Sequence, residues 1–232
     1  SKNLKDVGVI KLGENNRVMD FFEKSNDLAK LENAAATIDG KKCYLVSMGI
    51  YIFTKDVLME LLAESNKVDF GKEIIPDSFA KKKTEAFIYR GYWRDIGSIK
   101  NYYDENLVLT EPVPPIDLFD ENWQIFTRPR HLPPSKVKNS KISQSIISEG
   151  CIIESATIKH SVIGLRSRIA DKSVVEDSIM LGCDHYQLLG DILSARKEGR
   201  SIMGIGKNCL IKRAIIDKNV TIGDNVRIIN EK

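Results

Sequence analysis

The sequence has no Cys-x-x-Cys pair, no histidines at metal-ligand spacing and no glycine-rich phosphate loop. Its four cysteines, Cys43, Cys151, Cys183 and Cys209, stand far apart, which argues against a zinc site and a disulfide framework and fits a reducing compartment. No apolar run is long enough to span a bilayer, and no signal-peptide pattern opens the chain. Charge of one sign is lacking too: 35 basic against 32 acidic residues leave a formal +3, too small an excess to argue for nucleic acid or an anionic membrane. Any preference for anions must therefore come from local clusters. A poised histidine or a carboxylate pair for general acid-base work is not evident either.

What is present is an ordinary core-forming composition, 42% apolar and 29% charged over 232 residues, enough for one large domain or two smaller ones. The chain opens Ser-Lys-Asn-Leu-Lys-Asp without an initiator Met, so a fragment or a processed chain is expected. Val7 to Leu12 and Arg17 to Phe22, parted by Gly13-Glu14-Asn15-Asn16, predict a hairpin. Residues 25 to 41 read as a loop or a short helix. Tyr44 to Phe53 reads as a nearly continuous strand, and Ser47-Met48-Gly49 inside it marks either the approach of a ligand or a bulge. Val57, Leu58, Leu61 and Leu62 put one apolar face on a helix over Lys55 to Glu64. A turn at Asp69-Phe70-Gly71 and a short strand over Ala86 to Tyr89 follow.

Next comes Gly91-Tyr92-Trp93-Arg94-Asp95-Ile96-Gly97, an aromatic pair, a cation and a carboxylate between glycines. It reads either as a turn with a buried Trp and a surface Arg-Asp pair or as a site loop. Ser98 is placed to cap a helix bearing Ile99, Tyr102, Tyr103 and Leu107, and a loop held at a helix N-terminus favours anion binding beside it. Glu23, Lys24, Asp69, Arg94 and Asp95 near expected strand ends, with Ser47, Tyr51 and Trp93 as walls, suit a phosphorylated sugar. A carboxylate such as Asp95 can bind Mg²⁺ when substrate phosphates supply other ligands.

Six of the seven prolines fall between Pro112 and Pro134, which writes a stiff connection between domains. Inside it, Arg128 and Arg130 are either solvated linker charges or a phosphate clamp. From Val137 onward an aliphatic residue recurs every five or six positions, at Val137, Ile142, Ile147, Ile153, Ile158, Ile163, Ile169, Val175 and Leu181, then at Ile205, Ile211, Ile216, Ile222 and Ile228. Small residues, Cys151 and Cys209 among them, occupy the corners. This pattern predicts a parallel β-helix with three short faces per coil, the coils about 4.8 Å apart. The register breaks from Asp184 to Met203, where Leu188, Leu189, Ile192 and Leu193 predict an extruded helix used in assembly or docking.

Taken together, Phe22-Glu23-Lys24, Ser47-Met48-Gly49-Ile50-Tyr51, Asp69-Phe70-Gly71, Tyr92-Trp93-Arg94-Asp95-Ile96-Gly97, Leu132-Pro133-Pro134-Ser135-Lys136, Val162-Ile163-Gly164-Leu165-Arg166-Ser167 and Arg213-Ala214-Ile215-Ile216-Asp217-Lys218-Asn219 resemble the C-terminal portion of the ADP-glucose pyrophosphorylase (glucose-1-phosphate adenylyltransferase) family of glycogen and starch synthesis. The resemblance covers essentially the whole chain. It implies an α/β fold: the second half of a Rossmann-like nucleotidyltransferase domain over residues 1–110, a Pro-rich linker over 111–135, and a left-handed parallel β-helix of hexapeptide repeats over 136–232 with an insertion at about 184–203. The implied activity is formation of ADP-glucose and pyrophosphate from ATP and glucose 1-phosphate by an allosterically regulated homo- or heterotetramer in a bacterial cytoplasm or plastid stroma. The enzyme so implied is soluble, with neither nucleic acid nor membrane as a partner.

By the same resemblance Lys24 holds the sugar phosphate, and Glu23, Ser47, Tyr51, Asp69, Phe70 and Trp93 line the glucose pocket. Asp95 is a catalytic carboxylate that holds Mg²⁺, and Arg128, Arg130 and Lys218 belong to the site of an anionic effector. The family's nucleotide loop, an essential arginine and the other metal carboxylate are missing from these residues, so this stretch alone is expected to be inactive. The family's Glu-Lys-Pro is Glu-Lys-Ser here, with Ser25 removing a rigid turn. The family also runs past residue 232 into further coils. Two alternatives stand beside this reading. One is a non-catalytic regulatory or structural subunit; the other is a hexapeptide-repeat acyltransferase using His160 or His185.

Overall fold

In a computed structural model, residues 4, 7–38, 40–63 and 68–231 are described, and they divide by packing into residues 1–93 and 94–232. The first unit is built on a three-stranded antiparallel sheet. β1 (Gly8–Leu12) lies between β2 (Val18–Glu23), to which it is joined by the expected hairpin, and a two-residue strand at Leu45–Val46. Val7, Val9, Leu31 and Ala34 form its core, with Phe22, Tyr44 and Val46 packed against them. Leu31 and Ala34 come from α1 (Leu28–Asn33) and its end, capped by the Asp27 carboxylate, which accepts from the N–H groups of Ala29 and Lys30.

Several local expectations for this unit change. The Tyr44 to Phe53 strand pairs only at Leu45–Val46, because Ser47 Oγ accepts from Gly49 N at 3.2 Å and Gly49 turns the chain at φ 72°. The expected helix forms as α2 (Lys55–Ala63), with Glu64 outside the described residues. Asp69-Phe70-Gly71 begins a π-helical turn, Phe70–Ile74, that runs into α3 (Ile75–Lys81). Ala86 to Tyr89 makes no strand: only a bridge between Arg17 and Glu85 is present, and Phe87 is exposed.

In the second unit α4 (Ile99–Val108) starts where Ser98 caps it, its Oγ accepting from Asn101 N at 3.1 Å. Between α4 and Lys136 no helix or strand forms among the described residues, and Phe119, Trp123 and Phe126 are exposed there. The chain then winds into a parallel β-helix whose faces are two five-stranded sheets and one four-stranded sheet. The repeat register is realised almost as spaced. Val137, Ile153, Ile169, Ile205 and Ile222 stack on one face, Ile142, Ile158, Val175, Ile211 and Ile228 on the next, and Ile147, Ile163, Met180 and Ile216 on the third. The inward residue on the third face is Met180, not Leu181, because the step from Val175 is five residues.

Corners are turned by residues in the left-handed region, non-glycine ones included: Ser155, His160, Arg166, Lys172 and Asp177 all have positive φ. Small side chains fill the inner corners. Ser161, Ser167, Ser173 and Ser178 are fully buried yet hydrogen-bonded, and Cys151 and Cys209 occupy equivalent small positions in the core. The insertion carries α5 (Leu189–Lys197), as expected, with Ile192 and Ala195 buried and Leu188, Leu189 and Leu193 exposed. Among the described residues no helix is long and apolar enough to cross a membrane.

Candidate functional site

In the first unit the sheet brings several of the singled-out residues to one end. Gly8 pairs with Glu23 on one side, and its carbonyl accepts from Ser47 N at 2.8 Å on the other. The C-terminal ends of both neighbouring strands therefore converge beside the start of β1. A side chain at position 8 would collide with Glu23, since a Cβ there would lie 2.6 Å from Glu23 Oε2, so the carboxylate lies over the glycine. Lys24 follows at φ 47°, its N–H donating to Val7 O at 3.3 Å, which turns the chain where the sheet ends.

Ser47 extends this patch. Its hydroxyl lies 3.1 Å from Tyr51 Oη, and the Tyr51 ring packs edge-on against Phe70 at 6.0 Å. Phe53, which the sequence reading passed over, completes the group at 5.8 Å from Phe70 and 6.4 Å from Tyr51. Its signal was the Tyr51-x-Phe53 spacing, which sends two rings to one side of an extended chain. Asp69 precedes Phe70 and is committed to local structure: its Oδ1 accepts from Lys72 N at 2.8 Å, while its own N–H donates to Glu73 Oε2 at 3.0 Å. Glu23 and Lys24 thus stand across β1 from Ser47, and Ser47 leads through Tyr51 to Phe70 and its neighbour Asp69. Trp93 is half-buried at the end of this unit.

Asp95 belongs to the second unit, immediately before α4. Its Oδ1 accepts from Gly97 N at 3.0 Å, and its backbone carbonyl accepts from Asn101 Nδ2 at 2.9 Å. Arg94 pairs with Glu105 of α4 at 3.2 Å. No three His, Cys, Asp or Glu side chains gather into a metal-holding group among the described residues.

The other singled-out cations are Arg128, Arg130 and Lys218. Arg130 donates from a guanidinium nitrogen to Arg128 O at 3.1 Å, folding back on its own exposed segment. Lys218 donates to Asp184 Oδ1 at 2.8 Å. Asn219 embraces the same aspartate, its Nδ2 donating to Oδ2 and its Oδ1 accepting from Asp184 N, each at 2.8 Å. Lys218, ahead of Asn219, holds the Asp184 carboxyl below its ordinary value. No hydrogen bond or ion pair among the described residues joins either arginine to Lys218.

Residues 1–111 match the nucleotidyl transferase family, and residues 130–232 match the GLGC left-handed parallel β-helix domain. The chain is 42% identical, over 235 aligned residues, to a glucose-1-phosphate adenylyltransferase small subunit, chloroplastic/amyloplastic, of Triticum aestivum. That alignment takes in 96% of this chain and 50% of the relative, so the chain spans half the length of the protein it matches.

Proposed function

The chain belongs to the glucose-1-phosphate adenylyltransferase family, and on that premise we propose that it takes part in transferring the adenylyl group of ATP to glucose 1-phosphate, yielding ADP-glucose and pyrophosphate. A phosphate oxygen of the sugar phosphate forms the new bond to the α-phosphorus of ATP, and pyrophosphate departs with the electron pair of the broken bond. The observation that carries this reading is the run from Glu23 and Lys24 through Ser47 and Tyr51 to Asp69 and Phe70. Hydroxyl and carboxylate groups there suit sugar hydroxyls, the rings suit the sugar's apolar face, and Lys24 supplies a point charge for its phosphate. Trp93, half-buried at the end of the same unit, is assigned to that pocket as a further ring.

Nucleotidyl transferases generally work with a divalent cation, and Asp95 fits part of such a site. Its carboxylate has one oxygen on Gly97 N, leaving the other for a ligand. A single protein carboxylate suits Mg²⁺, which keeps waters and substrate phosphates in its shell. When bound, the ion would neutralise charge on the transferring phosphate. Arg128, Arg130 and Lys218 form the binding surface for an anionic effector. The relative is named a small subunit of a chloroplast or amyloplast enzyme, which supports assembly of this chain with another subunit, as a tetramer, in a plastid.

The test is transfer of label from radiolabelled glucose 1-phosphate into ADP-glucose by the assembled enzyme. Asp95→Asn should lower the rate on the order of 10²-fold, the scale of losing one electrostatic contact to a transition state, while circular dichroism is unchanged. A rate within a few-fold of the parent overturns the assignment of Asp95. It would favour the reading that this chain is a regulatory subunit, with catalysis on its partner.

A further inference from the structure

The segment that bears Asp95 is strapped to α4 by two side chains one helical turn apart. Asn101 donates to the Asp95 carbonyl at 2.9 Å, and Glu105 holds Arg94 at 3.2 Å. Positions four apart share a helix face, so both straps leave α4 on one side. Tyr103, midway between them, projects roughly 200° around the helix from Asn101. Its hydroxyl donates to the carbonyl of Asp177, a corner residue of the β-helix, at 2.5 Å.

That acceptor is itself fixed. Asp177 N donates to Lys159 O of the neighbouring coil at 3.1 Å, and the Asp177 carboxylate lies 2.7 Å from His160 Nδ1. On its far side His160 Nε2 stands 3.9 Å from Glu111, three residues beyond the end of α4. Leu107 of α4 and Ile179, in the strand against which α4 lies, are both buried. Burial pushes the Tyr103 phenol above its ordinary value, which keeps it a neutral donor.

We propose that Tyr103 is a positioning residue for Asp95: the β-helix grips α4 through this hydroxyl, and α4 in turn fixes the aim of the carboxylate. The inference rests on the role given to Asp95 above. Because the grip and the straps lie within five residues of one short helix, a shift of α4 on the β-helix is passed to Asp95 with little to absorb it. Reaction geometry punishes small displacements. The β-helix is then part of the reaction's alignment and not only a scaffold for assembly.

Tyr103→Phe removes one oxygen and keeps the ring. In the assembled enzyme it should lower kcat about five- to tenfold, the loss expected of one hydrogen bond spent on alignment, with KM for glucose 1-phosphate unchanged. A second readout is independent of turnover: amide hydrogen exchange in residues 94–101 should quicken while the β-helix strands exchange as before. Asn101→Ala, which cuts the strap and spares the Tyr103 contact, should give the same kcat-selective loss. Unchanged kcat and exchange in Tyr103→Phe would overturn the proposal, as would equal changes in kcat and KM. If Asp95→Asn itself leaves the rate intact, the role given to Asp95 fails first, and the exchange readout still decides whether Tyr103 orders residues 94–101.

Discussion

Replacing Gly182 by alanine should destabilise the protein well beyond the same change at Gly150, though both glycines follow a strand of the same face at positive φ, 86° and 73°. The left-handed conformation cannot account for a difference. Non-glycine residues adopt it at Ser155, Arg166 and Asp177, and its cost of about 1 kcal/mol applies at both sites. Neighbouring atoms differ. A Cβ at Gly182 would lie 2.4 Å from Leu165 O and 2.7 Å from Gly164 C, both backbone of the adjacent coil. At Gly150 it would meet Tyr186 Oη at 2.2 Å, the end of a side chain that can swing away.

Relief at Gly182 therefore means parting two coils. That weakens the bonds from Cys183 N to Leu165 O (2.7 Å) and from Asn219 N to Gly182 O (3.1 Å), about 1 kcal/mol each. Adding the conformational cost gives about 3 kcal/mol for Gly182→Ala. Gly150→Ala should cost about 1–2 kcal/mol, from the conformation and the lost hydroxyl bond of Tyr186 to Gly150 O. Thermal unfolding followed by circular dichroism should show a midpoint roughly 6–12 °C lower for Gly182→Ala and well under that for Gly150→Ala. Equal losses in the two variants would refute the argument, making backbone conformation and not the approach of the next coil the dominant cost.

Three further outcomes are expected. Alkylation by iodoacetamide should be fast at Cys43 and slow at Cys151, Cys183 and Cys209, which are buried; burial also pushes the Cys151 and Cys183 thiols up, and equal rates measured by mass spectrometry would contradict the core placement. Because Lys218 depresses the Asp184 carboxyl in the folded chain, that pairing contributes above the ordinary carboxylate range and is lost as pH falls through the folded value. Asp184→Asn should therefore flatten the acid side of the melting profile, and it should tighten inorganic phosphate binding about threefold in calorimetry by freeing Lys218; a weaker or unchanged phosphate affinity would show that the pair does not restrain the lysine.

The β-helix was legible to within one residue because each coil copies the last: a fixed step between buried aliphatics is the fold's own constraint, and only the five-residue step at Met180 escaped. α4 and its Ser98 cap were legible for a similar reason, since helical spacing and a capping hydroxyl are local properties. Strands at Tyr44–Phe53 and Ala86–Tyr89 were overread. Apolar character fits an extended chain, but a strand also needs a partner edge, and Ser47 and Gly49 bond locally instead. Within the candidate site the sequence pointed to Ser47, Tyr51 and Phe70, yet neither the Phe53 ring nor the strapping of Asp95 to α4 could be read from residue types. Both depend on where separate turns return in space.

One column inside the β-helix has a direction. Ser145 Oγ accepts from Ser161 N, Ser161 Oγ from Ser178 N and Ser178 Oγ from Ala214 N, while each hydroxyl donates back to a carbonyl of its own coil. Every coil up to Ser178 thus offers its successor a preformed acceptor and is completed only when that successor arrives. The column stops at Ala214, which takes the last acceptor and, having no hydroxyl, offers none. Along this edge the register of each coil against the next is therefore marked by a side-chain bond at one defined residue, in addition to the backbone ladder. In this respect the serines act as a ratchet on register, a task that the interchangeable aliphatics beside them cannot perform.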